Sequence, residues 1–353
     1  MEFKRDCKEF PGIYSCETMT AEGYEDCKDC KFYDKISKKI LIIKLGAMGD
    51  VIRTTPLMPL IKKKYNGAHI TWLVGEQSKE LAKADRILVY NLDNTLRLQK
   101  EEFDVVFSLE IDVPGSALVN LVGAKKKYGF YLDKDGHPNC FNDKSKFYLE
   151  RVFSNFVNKK NNKTYQEMMA EIMELDYEKI EPVLDYEEMK ISGKLIGIHM
   201  GSAPRWSSKV WSTKNLIEFI RKIYSETDYK ILLFAGPNEA EKQKKILEEL
   251  PDLKIYSNDP NNSIKEFAGL VKKCEIMVVN DSLALHVSIA LKKKTIALFF
   301  CTPDWEIEGY GHVTKIVSPL LQKHFFTDEC LEELTDSISV DEVFKALNSF
   351  NQK

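Results

Sequence analysis

Two glycine signatures for phosphate binding are missing from this 353-residue sequence: neither G-x-G-x-x-G nor G-x-x-x-x-G-K-[ST] follows any of its apolar runs. The first absence argues against a nicotinamide-dependent dehydrogenase. No apolar run reaches the ~18 residues that a membrane span needs, and the opening MEFKRDCKEF has no apolar core of a signal peptide. A large charge of one sign is also lacking. With a formal net charge of −3 the chain has no global attraction for nucleic acid. Its short lysine clusters (Lys62–Lys64, Lys125–Lys127, Lys292–Lys294) read as solvated faces. The expectation is a cytoplasmic protein, with peripheral contact at the inner membrane surface left open. In that compartment disulfides are the disfavoured use for eight cysteines.

What is present is an ordinary globular balance, 44% hydrophobic and 30% charged, and a length that suits two domains at about 150 residues each. Four cysteines crowd the first thirty residues: Cys7, Cys16, Cys27 and Cys30, spaced C-x8-C-x10-C-x2-C. A segment this small cannot bury a core of its own. Its four thiols are candidate ligands for a structural Zn (or Fe), since four thiolates enclose a tetrahedral ion and Cys27-Lys-Asp-Cys30 has knuckle spacing. Free or redox-active thiols, or incidental cysteines, are the competing readings. The other four (Cys140, Cys274, Cys301, Cys330) read as small buried hydrophobes.

From Lys39 the pattern becomes strand–helix alternation. KILIIKL, HITWLVG, RILVYNL and FDVVFSL read as strands, and VIRTTPLMPLIKKKY as a helix with Pro56 and Pro59 early in it or breaking it. Residues 141–185 have helical spacing, and IEPVLDYEEMK reads as a link. Alternation then restarts, with strands KLIGIHMG, KILLFAGP, LKIYSN, EIMVVND and TIALFFC separated by amphipathic helices; SVDEVFKALNSF closes the chain as a helix. Continuous apolar strands mark a parallel sheet covered on both faces. The reading is therefore α/β with two Rossmann-like modules: a Cys-rich segment at 1–37, domains at 38–185 and 186–330, and a terminal helix in 331–353. Ligands belong at the C-terminal ends of the strands.

Four strand-end loops carry the candidates. KLGAMGDVIRTTP (44–56) has Gly46 and Gly49, but places the acid Asp50 where a phosphate would want a cation. HMGSAPRWSSKVWS (199–212) gathers Ser202, Arg205, Ser207, Ser208 and Lys209, donors suited to a diphosphate or, more plainly, a surface loop anchored by Trp206 and Trp211. AGPNEAE (235–241) offers Glu239 and Glu241 to a ribose or merely to the next helix start. In VVNDSLALH (278–286), Asn280, Asp281 and Ser282 stand where they would cap a helix, with His286 on the face of Ser282. A lone histidine there is also a common core residue.

Taken together, in this order and at these separations, the four blocks resemble glycosyltransferase family 9, the ADP-heptose:lipopolysaccharide heptosyltransferases, over roughly residues 38–320. The resemblance implies a GT-B fold, two Rossmann-like domains facing a cleft, with the C-terminal helix crossing back to the first. It implies an inverting reaction without catalytic metal, an ADP-sugar donor and a bacterial lipopolysaccharide or other surface-glycan acceptor. Asp50 would be the general base, with Gly46, Gly49 and Arg53 in the acceptor-side loop. The family's K-x-W corresponds to Lys209, Val210 and Trp211, with the lysine on the donor phosphates. Donor contacts would further involve Gly201, Ser202, Glu239, Asn262, Asp281, Ser282, Leu283 and His286. Two positions depart from the pattern: Gly201 replaces a hydroxyl residue, and Leu283 replaces the glycine of D-[ST]-G-x-x-H. Alternatives are transfer to a protein hydroxyl, as in an iron-carrying autotransporter branch, and a non-catalytic nucleotide-sugar-binding protein, which the Leu283 departure motivates.

Overall fold

Continuous apolar strands produce two sheets in the computed structural model, which describes residues 1–12 and 14–350, with side chains for all of these but Pro204. The chain divides into two compact units. The first comprises residues 1–45, 57–149 and 170–177, and the second residues 46–56, 150–169 and everything from 178 onward.

The first unit is built on β1 (Lys38–Ile43), β2 (Ala68–Val74), β3 (Arg86–Val89), β4 (Glu102–Ser108), β5 (Gly123–Leu132) and β6 (Pro138–Cys140). Their order is β3-β2-β1-β4-β5-β6, parallel except for the antiparallel β5–β6 pair. Ile40, Leu41, Ile42 and Ile43 are all fully buried, as a central strand covered on both faces requires. β5 and β6 escape a reading by apolar runs because GAKKKYGFYL has three lysines near its start and β6 is three residues long. The segment VIRTTPLMPLIKKKY forms two helices, Met48–Thr54 and Leu57–Lys64. Pro56 causes the break, lacking an N–H and crowding the preceding turn.

The second unit holds β7 (Leu195–His199), β8 (Lys230–Phe234), β9 (Ile255–Ser257), β10 (Ile276–Asn280), β11 (Lys294–Phe299) and β12 (Val313–Val317). All pairs are parallel, in the order β12-β11-β10-β7-β8-β9. The α/β fold with two Rossmann-like sheets is thus as expected. The helix Thr213–Glu226 buries Leu216, Phe219, Ile220 and Ile223 against this sheet. Ser339 caps the helix Val340–Ser349 through the backbone N–H of Glu342.

Val340, Val343, Phe344 and Leu347 of that last helix belong to the second unit's core, against the helix Thr213–Glu226 and strands β11 and β12, where its single apolar stripe is buried. Segments 46–56 and 150–169 also pack with the second unit. No helix among the described residues is long and apolar enough to cross a membrane.

Phe219 is fully buried and meets Trp211 edge-on at 5.4 Å. Phe219→Ala is expected to cost the second unit about 3–5 kcal/mol, read as a lower urea midpoint; a loss below about 1 kcal/mol would show that this core repacks.

Candidate active site at a strand crossover

The second sheet grows outward from β7 in both directions, so the region beyond the carboxyl ends of β7 and β10 is a topological switch point. Asn280, the last residue of β10, ties the two loops there. Its carbonyl accepts from the Trp211 N–H at 3.3 Å, and its amide donates to the Gly201 carbonyl at 3.3 Å. Lys209 Nζ lies 2.8 Å from Asp281 Oδ2, which also accepts from the Thr302 hydroxyl at 2.7 Å. Burial pushes the Asp281 carboxyl upward, but Lys209 and the Thr302 hydrogen bond outweigh it and hold it well below the usual carboxylate range. The indole of Trp206 sits 4.8 Å from the lysine ammonium.

Ser282 stands at the N-cap of the helix Leu283–Ala290, yet its hydroxyl makes no capping bond. Its Oγ is buried without a partner among the described residues. The cap expected from the sequence is therefore absent. A buried hydroxyl and the first N–H groups of an eight-residue helix remain beside Lys209 and Asp281, a donor set suited to an anion.

On the same helix, His286 is 7% exposed. Its ring covers Gly49 of the helix Met48–Thr54 so closely that a Cβ there would lie 2.3 Å from His286 Cδ2. Gly49 is thus required by packing, whereas a Cβ on Gly46 would meet nothing within 4 Å. Burial, with Arg53 second, lowers the His286 pKa to about 3, so the imidazole is neutral near pH 7.

Asp50 lies one residue beyond Gly49 and pairs with Arg53 through Oδ1. The Arg53 guanidinium also stacks 4.1 Å from the Tyr165 ring centroid. Burial pulls the Arg53 pKa down, but Asp50 and Tyr165 overcome it and raise the value. Arg53, expected in the acceptor-side loop, pairs with Asp50 on its own helix. Nearby in the same unit, buried Arg151 pairs with Glu306 and donates to Asn158 at 2.8 Å. Burial raises the Glu306 carboxyl despite Arg151 and Arg53.

The other candidates divide. The Ser202 hydroxyl donates to the Trp206 carbonyl at 2.6 Å, within its own loop. Ser208, fully buried, donates to the Thr327 carbonyl at 2.7 Å and holds the loop in place. Glu239 accepts from the Gly236 N–H at 3.2 Å, and its carboxylate packs on Gly201, where a Cβ would lie 2.5 Å from Glu239 Cδ. That contact accounts for glycine at 201. Asn262 accepts from Asn258 at 2.6 Å and shapes the loop after β9, with no hydrogen bond to Lys209 or Asp281. Leu283 is partly exposed at the first position of its helix.

Cys7, Cys16, Cys27 and Cys30 line one cavity of about 20 Å³ in the first unit, together with Phe10, Phe32 and other side chains. All are free thiols. Among the described residues no group of three or more His, Cys, Asp or Glu side chains is placed to hold a metal ion, so the structural Zn (or Fe) expected there gains no support. Cys274 and Cys301 are buried as expected, but Cys330 is exposed and Cys140 only partly covered.

Sequence reading missed Thr302, Tyr165, Arg151 and Glu306. Each is brought in by the fold from a segment without a motif. Thr302 offered the only local hint, as the hydroxyl just past the β11 run.

Comparison with known proteins gives a consistent picture. The sequence profile of glycosyltransferase family 9 (heptosyltransferase) matches residues 92–335. Lipopolysaccharide heptosyltransferase 1 of Campylobacter coli is 25% identical over 310 residues, spanning 79% of this chain and 89% of its own. Lipooligosaccharide heptosyltransferase 2 of Campylobacter jejuni is 22% identical, spanning 87% and 98%. Among solved structures, a family 9 glycosyltransferase from Veillonella parvula superposes with a TM-score of 0.67 at 19% identity, over 89% of this chain and 97% of that one. E. coli ADP-heptose lps heptosyltransferase II gives 0.66 at 16% identity, over 88% and 98%. At these identities the structural likeness establishes the fold alone.

The depressed histidine carries a pH signature. Below pH 6.5 the unfolded chain takes a proton that folded His286 refuses down to about pH 3, so stability falls as pH drops through that window. Between pH 7 and 5 the expected loss from this group is about 2 kcal/mol. His199, lowered to about 4 by burial, acts with the same sign. Asp281 stabilises the fold throughout this range, and its contribution is lost only as pH falls below the ordinary carboxylate range. Urea titrations of wild type and His286→Asn at the two pH values isolate the His286 share; equal slopes would contradict the assignment.

Proposed function

The chain belongs to glycosyltransferase family 9, the heptosyltransferases, and is a glycosyltransferase; from that premise we propose that it inverts the anomeric centre of a heptose as it transfers it, without a catalytic metal, from an ADP-linked donor to a hydroxyl of lipopolysaccharide or a related surface glycan. The donor class is supported by the neighbour solved as an ADP-heptose heptosyltransferase, and the acceptor class by the lipopolysaccharide and lipooligosaccharide heptosyltransferases among the curated relatives. The observation that carries the reading is Lys209 held on Asp281 at the strand crossover, beside the unpartnered Ser282 hydroxyl.

An acceptor hydroxyl attacks poorly unless a base takes its proton as the new bond forms. Asp50, paired with Arg53, is the carboxylate we assign to that step. The acceptor oxygen bonds to the anomeric carbon on the face opposite the diphosphate. The bond to ADP breaks with its electron pair going to the phosphate oxygen, and the acceptor proton goes to Asp50. Negative charge grows on the leaving diphosphate, where Lys209, the Ser282 hydroxyl and the start of the helix Leu283–Ala290 stabilise it. Neutral His286 serves as a hydrogen-bonding and packing group, not as a second cation. Lys209 is already oriented by Asp281, which the Thr302 hydroxyl holds in turn, so little reorganisation is needed when the donor arrives. A cytoplasmic site of action follows from the nucleotide-linked donor.

Purified protein incubated with ADP-heptose and a core-oligosaccharide acceptor is expected to release ADP in an acceptor-dependent way. Asp50→Asn is expected to lower that rate by about 10²–10⁴-fold while calorimetric ADP affinity is retained. Loss of ADP binding in the variant would remove the base assignment. Binding without turnover on any acceptor would favour a non-catalytic nucleotide-sugar-binding protein.

A further inference from the structure

One face of the first sheet changes character along its strands. Farther along it is apolar, with Leu41 and Ile43 of β1, Leu73 of β2 and Leu88 of β3 joined in one core. At the amino ends the same face carries Lys39, His69, Thr71 and Arg86, because side chains alternate along a strand and Lys39 pairs with His69 and Thr71 with Arg86 in register. These four residues line a cavity of about 510 Å³ together with residues 5 and 7–12. Its volume falls within the roughly 300–1,000 Å³ of small-molecule sites. The N-terminal segment is a fixed wall: the Lys8 N–H donates to the Asp34 carbonyl at 2.8 Å and the Ile36 N–H to the Asp6 carbonyl at 2.7 Å.

The charged groups of the lining divide into paired and unpaired. Arg86 is held by Glu101 through both terminal nitrogens, and its Nε donates to the buried Thr71 hydroxyl at 3.0 Å. Asp85 accepts from Lys62 at 2.7 Å and from the Ile70 N–H at 2.8 Å, while Lys8 pairs with Asp34 at 2.6 Å. Arg5, Lys39 and Arg97 are left over, their side chains without a hydrogen bond or ion pair among the described residues. The remaining acid of the lining, Glu9, is exposed and accepts from the Thr18 hydroxyl at 3.5 Å. Burial lowers the pKa of His69, which makes it a neutral hydrogen-bonding group near pH 7. Phe10, Leu88 and Phe103 add an apolar wall.

We infer that this cavity binds a small organic phosphate, with the phosphate oxygens on Arg5, Lys39 and Arg97 and the carbon skeleton against Phe10, Leu88 and Phe103. Guanidinium forks and an ammonium suit phosphate oxygens, and the unpaired cations outnumber the one available carboxylate. A bare anion would leave the apolar wall unused. The site lies at the amino ends of the strands, whereas the loop bearing Asp50 follows the carboxyl end of β1, so the inference does not rest on the transfer chemistry proposed above.

The test is calorimetry with phenyl phosphate as the probe, on the full chain carrying Lys209→Ala so that the proposed donor site does not contribute. This protein is expected to bind phenyl phosphate, and to bind it more tightly than inorganic phosphate. Adding Arg5→Ser/Arg97→Ser should weaken binding by about tenfold or more, since hydrogen bonds to charged groups are the strong ones. Lys39→Gln, a change at an exposed position, should weaken it in the same direction. Melting temperatures without phosphate should match the Lys209→Ala parent, which separates lost binding from lost folding. No binding at millimolar phenyl phosphate, binding that neither variant alters, or inorganic phosphate bound equally well overturns the inference.

Discussion

The close approach of Gly49 to His286 is the contact on which the proposed chemistry depends. With no Cβ at 49, the helix Met48–Thr54 lies against the helix Leu283–Ala290, and the imidazole fills the place a side chain would have taken. The consequence is that Asp50, which follows a strand of the first sheet in sequence, packs with the second unit. Arg53, one turn later, then fixes the carboxylate from one side and stacks on Tyr165 from the other. Remove the close approach and Asp50 loses its fixed relation to the switch point.

Two carboxylates there have different partners. Asp281 is held by Lys209 and Thr302 and is driven strongly toward its ionised form. Asp50 is held by an arginine on its own helix and keeps a partly exposed side chain. Buried ion pairs are weak contributors to net stability, because desolvation offsets most of the attraction. Their concentration at a strand crossover is better explained by chemistry that needs charge in fixed places. In the proposed reaction the lysine-paired acid orients the cation that meets the donor, and the arginine-paired acid takes the acceptor proton.

Much of this was legible in the sequence because buried parallel strands are continuous apolar runs. KILIIKL, KLIGIHMG and EIMVVND each became a strand of a parallel sheet, and Lys209, Asp281, Ser282 and His286 came from the loop and helix that such strands position. Strands toward the sheet margins were harder: β5, next to the edge, carries lysines at its third to fifth positions, and the edge strand β12 is only partly buried. Long-range partners were invisible. Thr302, Tyr165 and Glu306 join the site through folding, and no local pattern marks them. The apolar stripe of the terminal helix was legible, but the core residues it meets were not. The cysteine spacing suggested a ligand set, and the fold gathers the thiols around a cavity without arranging them as one. Gly201, a departure from the family's hydroxyl residue, has a local cause in the Glu239 carboxylate packed against it.

The most direct measurement is the transfer rate of Gly49→Ala at saturating donor. A Cβ at 49 must displace the His286 ring and with it the seating of Asp50. The account predicts a fall of on the order of tenfold to a hundredfold, with ADP affinity largely retained. A variant that turns over at the wild-type rate would contradict it, because the contact would then not be what holds the proposed base in place.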